Sequence, residues 1–276
     1  MTCSHSYACP ECSSASGTLR RESDQFVCAD CDGTFDVEDG VPVLVPEKER
    51  PYFEFLNGEQ MAFGAERADE LYTADKKSYR NCIDLLSETD EVETVVDLGT
   101  GYGGLARNLA AAGYEPTCLD VNVARVKTVQ DRGHRAAVAV SSDLPFPSGS
   151  VDAVCVISAL PHLRDVETTF RELNRILRPG GALIVDFYNI LNVLWRLFML
   201  VGRWEPIAAR QGWHYFQSTL SAQQLRKLAD STGFRVESDG SYTPVPKSSR
   251  FVRLPATRLS CLRHAFRLTK TADASN

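Results

Sequence analysis

The sequence predicts an α/β chain whose main body is a parallel sheet with helices on both faces, preceded by a small β module built on cysteines. Three observations carry this prediction. Short apolar runs alternate with helical patterns from Thr94 to Val185, as repeated strand and helix units require. One of them, TVVDLGTGYGGL at Thr94 to Leu105, passes from β-branched residues into a turn with four glycines and on into a helix. Near the N-terminus, Cys9-Pro-Glu-Cys12 and Cys28-Ala-Asp-Cys31 form two C-x-x-C pairs fifteen residues apart.

Composition bounds the reading. A chain of 276 residues has room for one full α/β domain and something small beside it. With 43% hydrophobic and 24% charged residues it has the make-up of an ordinary globular protein. No N-terminal apolar segment follows positive charge, and no uncharged apolar run reaches about 18 residues, so neither a signal peptide nor a spanning helix is expected. A cytoplasmic location follows as an expectation. The net charge of −6 is uneven: residues 1–50 hold ten acids and four bases, residues 251–276 one acid and five bases. An acidic front module is a poor grip for phosphates.

The cysteine spacing matches a tetrahedral zinc ribbon, with Cys9, Cys12, Cys28 and Cys31 as ligands. Disulfides or a redox-active pair are the competing readings; a cytoplasmic chain disfavours the first and two matched knuckles disfavour the second. Thr18–Arg21 and Gln25–Val27 read as a hairpin between the knuckles, while Cys3 and His5 are left out of the ligand set. From Gly33 to Pro46, Phe35 and Val37 and then Val41, Val43 and Val45 alternate around a Glu-Asp-Gly turn. Pro46 to Pro51 reads as a charged linker, giving a front domain over 1–48 and a second domain over 49–276.

Residues 52–75 carry Tyr52, Phe53, Phe55, Phe63 and Tyr72 and read either as a helix on the domain flank or as a lid. A helix follows at Ser78 to Ser87, with Tyr79, Cys82, Ile83 and Leu86 on one face. After the strand at Thr94, Gly99, Gly101 and Gly104 also fit the dinucleotide pattern G-x-G-x-x-G, which alone is a weak signal. Asp97 decides against it. A carboxylate two residues before the first glycine would repel a pyrophosphate but suits a cationic amino-acid group, such as the ammonium and sulfonium of S-adenosylmethionine. Asp120 ends the next apolar run, where an acid accepts hydrogen bonds from ribose hydroxyls. Asp143 follows a third run, Ala136 to Val140, and could receive an adenine amino group.

Val151 to Ser158 is nearly all apolar, as a strand buried on both faces must be. A helix over Val166 to Leu177 follows; Pro179-Gly180-Gly181 reads as its stop and turn, and Ala182–Val185 as the fifth strand. Ile190 to Val201 is apolar on nearly every side and serves as a buried helix, a wall around an apolar acceptor, or a patch for peripheral membrane contact. Ser221 caps a helix to Ala229, a late strand starts near Thr232, a helix spans about Pro255 to Leu262, and a final edge strand runs from His264 to Lys270. Seven bases and no acids lie between Lys247 and Lys270. Cys82, Cys118, Cys155 and Cys261 read as small buried fillers.

Four stretches, VVDLGTGYGG, CLDVN, SSDLPFPSGSVDAVCVISALPHL and FRELNRILRPGGALIVDFYN, stand in the order and spacing of a known family. Over about Ser78 to Asn189 the chain resembles class I S-adenosylmethionine (SAM)-dependent methyltransferases of the ubiquinone-biosynthesis type. That resemblance implies a Rossmann-like sheet, mostly parallel with an antiparallel last strand. It also implies a donor site in which Asp97, Gly99 and Gly101 hold the methionine end, Asp120 the ribose, and Asp143 and Leu144 the adenine, with Thr100, Val121 and Ser158 as further cofactor-binding residues. Residues 7–46 resemble the zinc-ribbon activators that partner tRNA and release-factor methyltransferases, and the ribbon fused to guanine-methylating rRNA enzymes. His162, after the fourth strand, is the candidate general base or positioning residue. The acceptor expected is a small or lipid-like molecule; RNA is the alternative partner, and a non-catalytic docking protein the third reading.

Overall fold

The computed structural model describes residues 7–12, 17–58, 65–189, 220–241 and 263–271. The front module begins with two short strands, β1 Leu19–Glu22 and β2 Gln25–Cys28, paired antiparallel. Strand β3, Thr34–Glu38, pairs antiparallel with β2 and turns into β4, Val41–Leu44. Asp39 and Gly40 make that turn with φ of 49° and 85°, the left-handed pair a two-residue hairpin needs to match the strand twist.

Strand β4 then leaves the module's own hairpins. It pairs in parallel with β7, Arg135–Ala139, through Val43 and Val138. The main sheet is built from β7 with β5 Val95–Leu98, β6 Pro116–Asp120, β8 Val151–Ile157, β9 Leu177–Tyr188, β10 Phe234–Asp239 and β11 Arg263–Lys270. Its order is β4-β7-β6-β5-β8-β9-β11-β10. All neighbours from β4 to β9 are parallel, and β11 is antiparallel to both β9 and β10. The expected Rossmann-like sheet with its antiparallel end is present. Strand β11, however, lies between β9 and β10 instead of at the edge, and Ala265, Phe266 and Leu268 are buried accordingly.

Helices cover both faces because their apolar stripes need them. On one face, α3 Lys77–Leu86 and α4 Gly104–Ala111 place Cys82, Leu86, Leu105 and Leu109 on Val95, Cys155 and Ile184. On the other, α6 Val166–Ile176 sets Phe170, Leu173 and Ile176 against Val154, Val156 and Leu183. Helix α5, Val123–Asp131, buries Val126 and Val129 with Val43 and Val138. Side-chain caps fix three helix starts: Asn122 for α5, Asp165 for α6, and a Ser221–Gln224 capping box for α7, Ala222–Ser231.

One local expectation changes. The charged stretch after Pro46 is no open linker: Glu47–Glu49 form a 3-10 turn that leads into α1, Arg50–Gly58, whose Phe53 is buried with Val126 and Val138. Helix α2, Ala68–Thr73, packs on α4, so the aromatic segment flanks the domain where it is described. Pro179-Gly180-Gly181 makes the expected turn as a bulge within β9: Gly180 has φ of 78°, and the register with β8 passes from Val151–Leu177 directly to Ala153–Ala182. The front module shares the main core: Cys9, Leu19, Cys28 and Phe35 cluster with Leu119, Ala137 and Phe146. Cys82, Cys118 and Cys155 are buried fillers as expected. Cys3, His5, Phe63, Ile190 to Val201, Pro255 to Leu262, Cys261 and most of the basic stretch lie outside the described residues. Among the described residues no helix is long and apolar enough to cross a membrane.

Candidate functional site

The glycine turn follows β5, whose chain neighbour β6 lies on one side and β8 on the other. The connections reverse direction at this point, so a crevice opens at the carboxyl ends of the strands. Gly99 and Thr100 donate backbone N–H bonds to the Leu119 carbonyl at 2.8 and 3.0 Å, locking the turn to β6. Gly99 has φ of 76°, and a Cβ there would lie 2.4 Å from the Ala159 Cβ. Gly101, with φ of 56°, differs: a Cβ there would meet nothing within 4 Å. One glycine is needed for packing, the other leaves its space to the crevice.

Asp97 and Asp120 stand at the carboxyl ends of the neighbouring strands β5 and β6, Asp143 lies in the loop four residues after β7, and all three are buried. Asp97 accepts from the Thr100 hydroxyl at 2.7 Å. Burial pushes its carboxyl up to about 7 against the pull of that hydrogen bond, with nearby Asp120 adding to the rise. Asp120 accepts from the backbone N–H groups of Gly101 at 2.9 Å and Asn122 at 3.0 Å, which ties the glycine turn to the second strand. Asp143 accepts from the Lys48 ammonium at 2.6 Å through Oδ1, while its buried Oδ2 has no hydrogen-bond partner among the described residues.

The remaining expected residues divide. Val121 is half-buried, and Asn57 of α1 donates to its carbonyl at 2.9 Å while accepting from the Val123 N–H at 3.1 Å. Leu144 is fully buried, and its N–H is already given to Glu172 at 2.6 Å. Ser158 is exposed at the end of β8 with φ of 62°, a conformation unusual outside glycine. His162 is exposed at the end of a 3-10 turn, Leu160–His162, that follows Ser158, on the same edge of the sheet as the aspartates.

A second polar group borders this edge. Arg263, the first residue of β11, pairs with Asp186 of β9, donates to the Ser158 hydroxyl at 2.7 Å and lies over the Tyr188 ring at 4.2 Å. Burial lowers its pKa to about 10. Tyr188 is pushed up to about 12 by burial, and Lys76, 5.2 Å from the Tyr79 ring centre, is pulled down by burial and then by Arg263. Sequence reasoning read Arg263 as one of seven bases in a basic stretch; the signal it offered was its place at the head of an alternating strand.

The four knuckle cysteines converge. Their sulfurs all lie within 4.8 Å of one another, with Cys9 to Cys31 and Cys12 to Cys28 both at 3.8 Å. Four thiolates around zinc at about 2.3 Å have tetrahedral edges of about 3.8 Å, so the cluster fits the ion. The same separations rule out disulfide bonds, and all four thiols are free.

Comparison with known proteins agrees with this geometry. Residues 96–185 match the family described as a methyltransferase domain. A 2-phytyl-1,4-naphtoquinone methyltransferase of Synechococcus elongatus is 32% identical over 166 residues, covering 52% of this chain and 71% of the relative. A 2-methyl-6-phytyl-1,4-hydroquinone methyltransferase of Synechocystis is 37% identical over 102 residues, but the match takes in 35% of this chain and only 32% of that protein. In structure, the chain is similar to one from the complex between the Haloferax volcanii Trm112 methyltransferase activator and a methyltransferase. The TM-score is 0.60 at 20% identity, over 77% of this chain and 98% of that one. The matched stretch contains the glycine turn and all three carboxylates, and on these grounds the chain belongs to the class I SAM-dependent methyltransferase family.

Proposed function

We propose that the protein transfers a methyl group from SAM to a small, lipid-like aromatic acceptor of the quinol type. The arrangement of Asp97, Asp120 and Asp143 around the Gly99–Gly101 turn carries the proposal. Asp97 holds the ammonium of the methionine end, with Thr100 fixing its carboxylate; Asp120 takes the ribose hydroxyls; Asp143 Oδ2 takes the adenine amino group. Two features support the fit: the open space over Gly101 and the unpaired Oδ2 of Asp143. Leu144 contributes packing beneath the adenine, since its N–H is engaged.

The acceptor side lies beyond Ser158, near His162 and the Asp186–Arg263 pair. Bringing the acceptor atom, methyl carbon and sulfur into line can itself supply up to about 7–11 kcal/mol of the barrier. The methyl–sulfur bond breaks as the new bond forms, and the acceptor gives up a proton, for which His162 is the candidate base. The quinol class draws its support from the two relatives, both named for methylation of phytylated rings. Zinc on Cys9, Cys12, Cys28 and Cys31 supports the fold of a front domain over 1–48, with residues 49–276 as the transferase domain. No observation favours an RNA acceptor or a scaffold role.

Incubation with methyl-labelled SAM and separated lipid, RNA, protein and small-molecule fractions tests the proposal. Label is expected in demethylated prenyl quinols reduced before use. Label confined to RNA, or none in any fraction, would remove it.

A further inference from the structure

Lys48 belongs to the turn that leaves the cysteine module, yet its ammonium lies 2.6 Å from Asp143, 95 residues further along the chain. Asp143 is 8% exposed, and among the described residues Lys48 is the only side chain that bonds it. The module reaches the same loop twice more. Glu11, inside the first knuckle, accepts the Glu47 N–H at 2.9 Å and so fixes the residue before Lys48. Ala8, beside Cys9, donates its N–H to the Pro145 carbonyl at 3.0 Å. A knuckle that holds both the lysine's turn and the loop after Asp143 sets the distance between them.

We propose that Lys48 is a positioning residue for the adenine end of the donor, brought to Asp143 by the cysteine module. The inference rests on the donor reading given above. Lys48 binds Oδ1 and so holds the carboxylate with Oδ2 left to accept a hydrogen bond. Such an atom selects a base that presents an amino group and rejects one that presents a carbonyl at the same place.

The test compares S-adenosylhomocysteine with S-inosylhomocysteine, in which the amino group is replaced by a carbonyl, by calorimetry on the full chain. Wild type is expected to bind the adenosyl compound at least about tenfold more tightly, the scale of one charge-assisted hydrogen bond. In Lys48→Met the adenosyl compound weakens about tenfold and the inosyl compound does not, so the preference shrinks; Lys48→Arg restores it. Glu11→Ala, which frees the turn, produces a smaller loss of the same preference. Because the Lys48 side chain is 63% exposed, its variants keep the fold, and melting curves verify this. An unchanged preference in Lys48→Met, or equal weakening of both compounds, overturns the inference while wild-type binding leaves the donor reading standing. Wild type that binds neither compound overturns both.

Discussion

Arg263 and Asp186 form an ion pair with side chains only 8% and 2% exposed, joining the head of β11 to the carboxyl end of β9. The pair ties the sheet's antiparallel end to the carboxyl end of β9, and Ser158 shares the guanidinium. Removing one partner leaves a buried, uncompensated charge. Arg263→Met is therefore expected to lower stability by about 3–5 kcal/mol in urea denaturation. The double variant with Asp186→Leu should recover most of that, because no charge is left to desolvate. A single variant as stable as wild type would show the pair to be solvated.

Asp97 gives the site a pH dependence. Its carboxyl ionises at about 7 in the folded protein, above the ordinary range, so between those values the folded chain holds a proton that the unfolded chain has released. The stability this confers is present in full below the ordinary carboxyl range and is lost as pH rises to about 7. Thermal melting without donor should thus fall from pH 4 to pH 7, by up to about 4 kcal/mol, and Asp97→Asn should flatten that slope. Donor affinity is expected to run the other way, rising toward pH 8 as the carboxylate forms to meet the ammonium.

The two turn glycines should fail differently. Gly99→Ala places a methyl 2.4 Å from the Ala159 Cβ in a left-handed backbone, and a loss of about 2–4 kcal/mol in stability is expected. Gly101→Ala carries the backbone strain without the collision. It should cost only about 1–2 kcal/mol yet weaken donor binding by more than tenfold, since its methyl enters the crevice. Calorimetric titration beside urea denaturation separates the two effects.

The cysteine cluster is expected to hold one zinc per chain, measurable by elemental analysis. Cys28→Ser should release the metal and, because β4 is paired to β7, uncover one edge of the main sheet. A lowered melting temperature with concentration-dependent aggregation is the expected result. A variant that keeps both metal and melting temperature would exclude Cys28 as a ligand.

Most of the candidate donor site could be read along the chain because its geometry is local. Glycines at Gly99 and Gly101 announce a left-handed turn, Asp97 and Asp120 close apolar runs that become strands, and Ser221 with Gln224 spells out a capping box. The cysteine spacing likewise brought four thiols to one point. Errors arose where neighbours in space decided the outcome. The stretch from Pro46 to Pro51 looked like an open linker but forms a 3-10 turn and the start of α1, whose Phe53 packs with Val126, and the last strand looked like an edge but lies between β9 and β10.

The amino-acid sequence alone determined the family, the three carboxylates around the glycine turn and the cluster of four thiols, since each rests on residue types a few positions apart with one stable local arrangement. Only the tertiary structure decided that β4 extends the transferase sheet, that Lys48 reaches Asp143, that Arg263 meets Asp186, and that Leu144 spends its N–H on Glu172. Those choices depend on which surfaces pack together across tens of residues, and a charged side chain carries no mark of its partner until the backbone brings the two within reach.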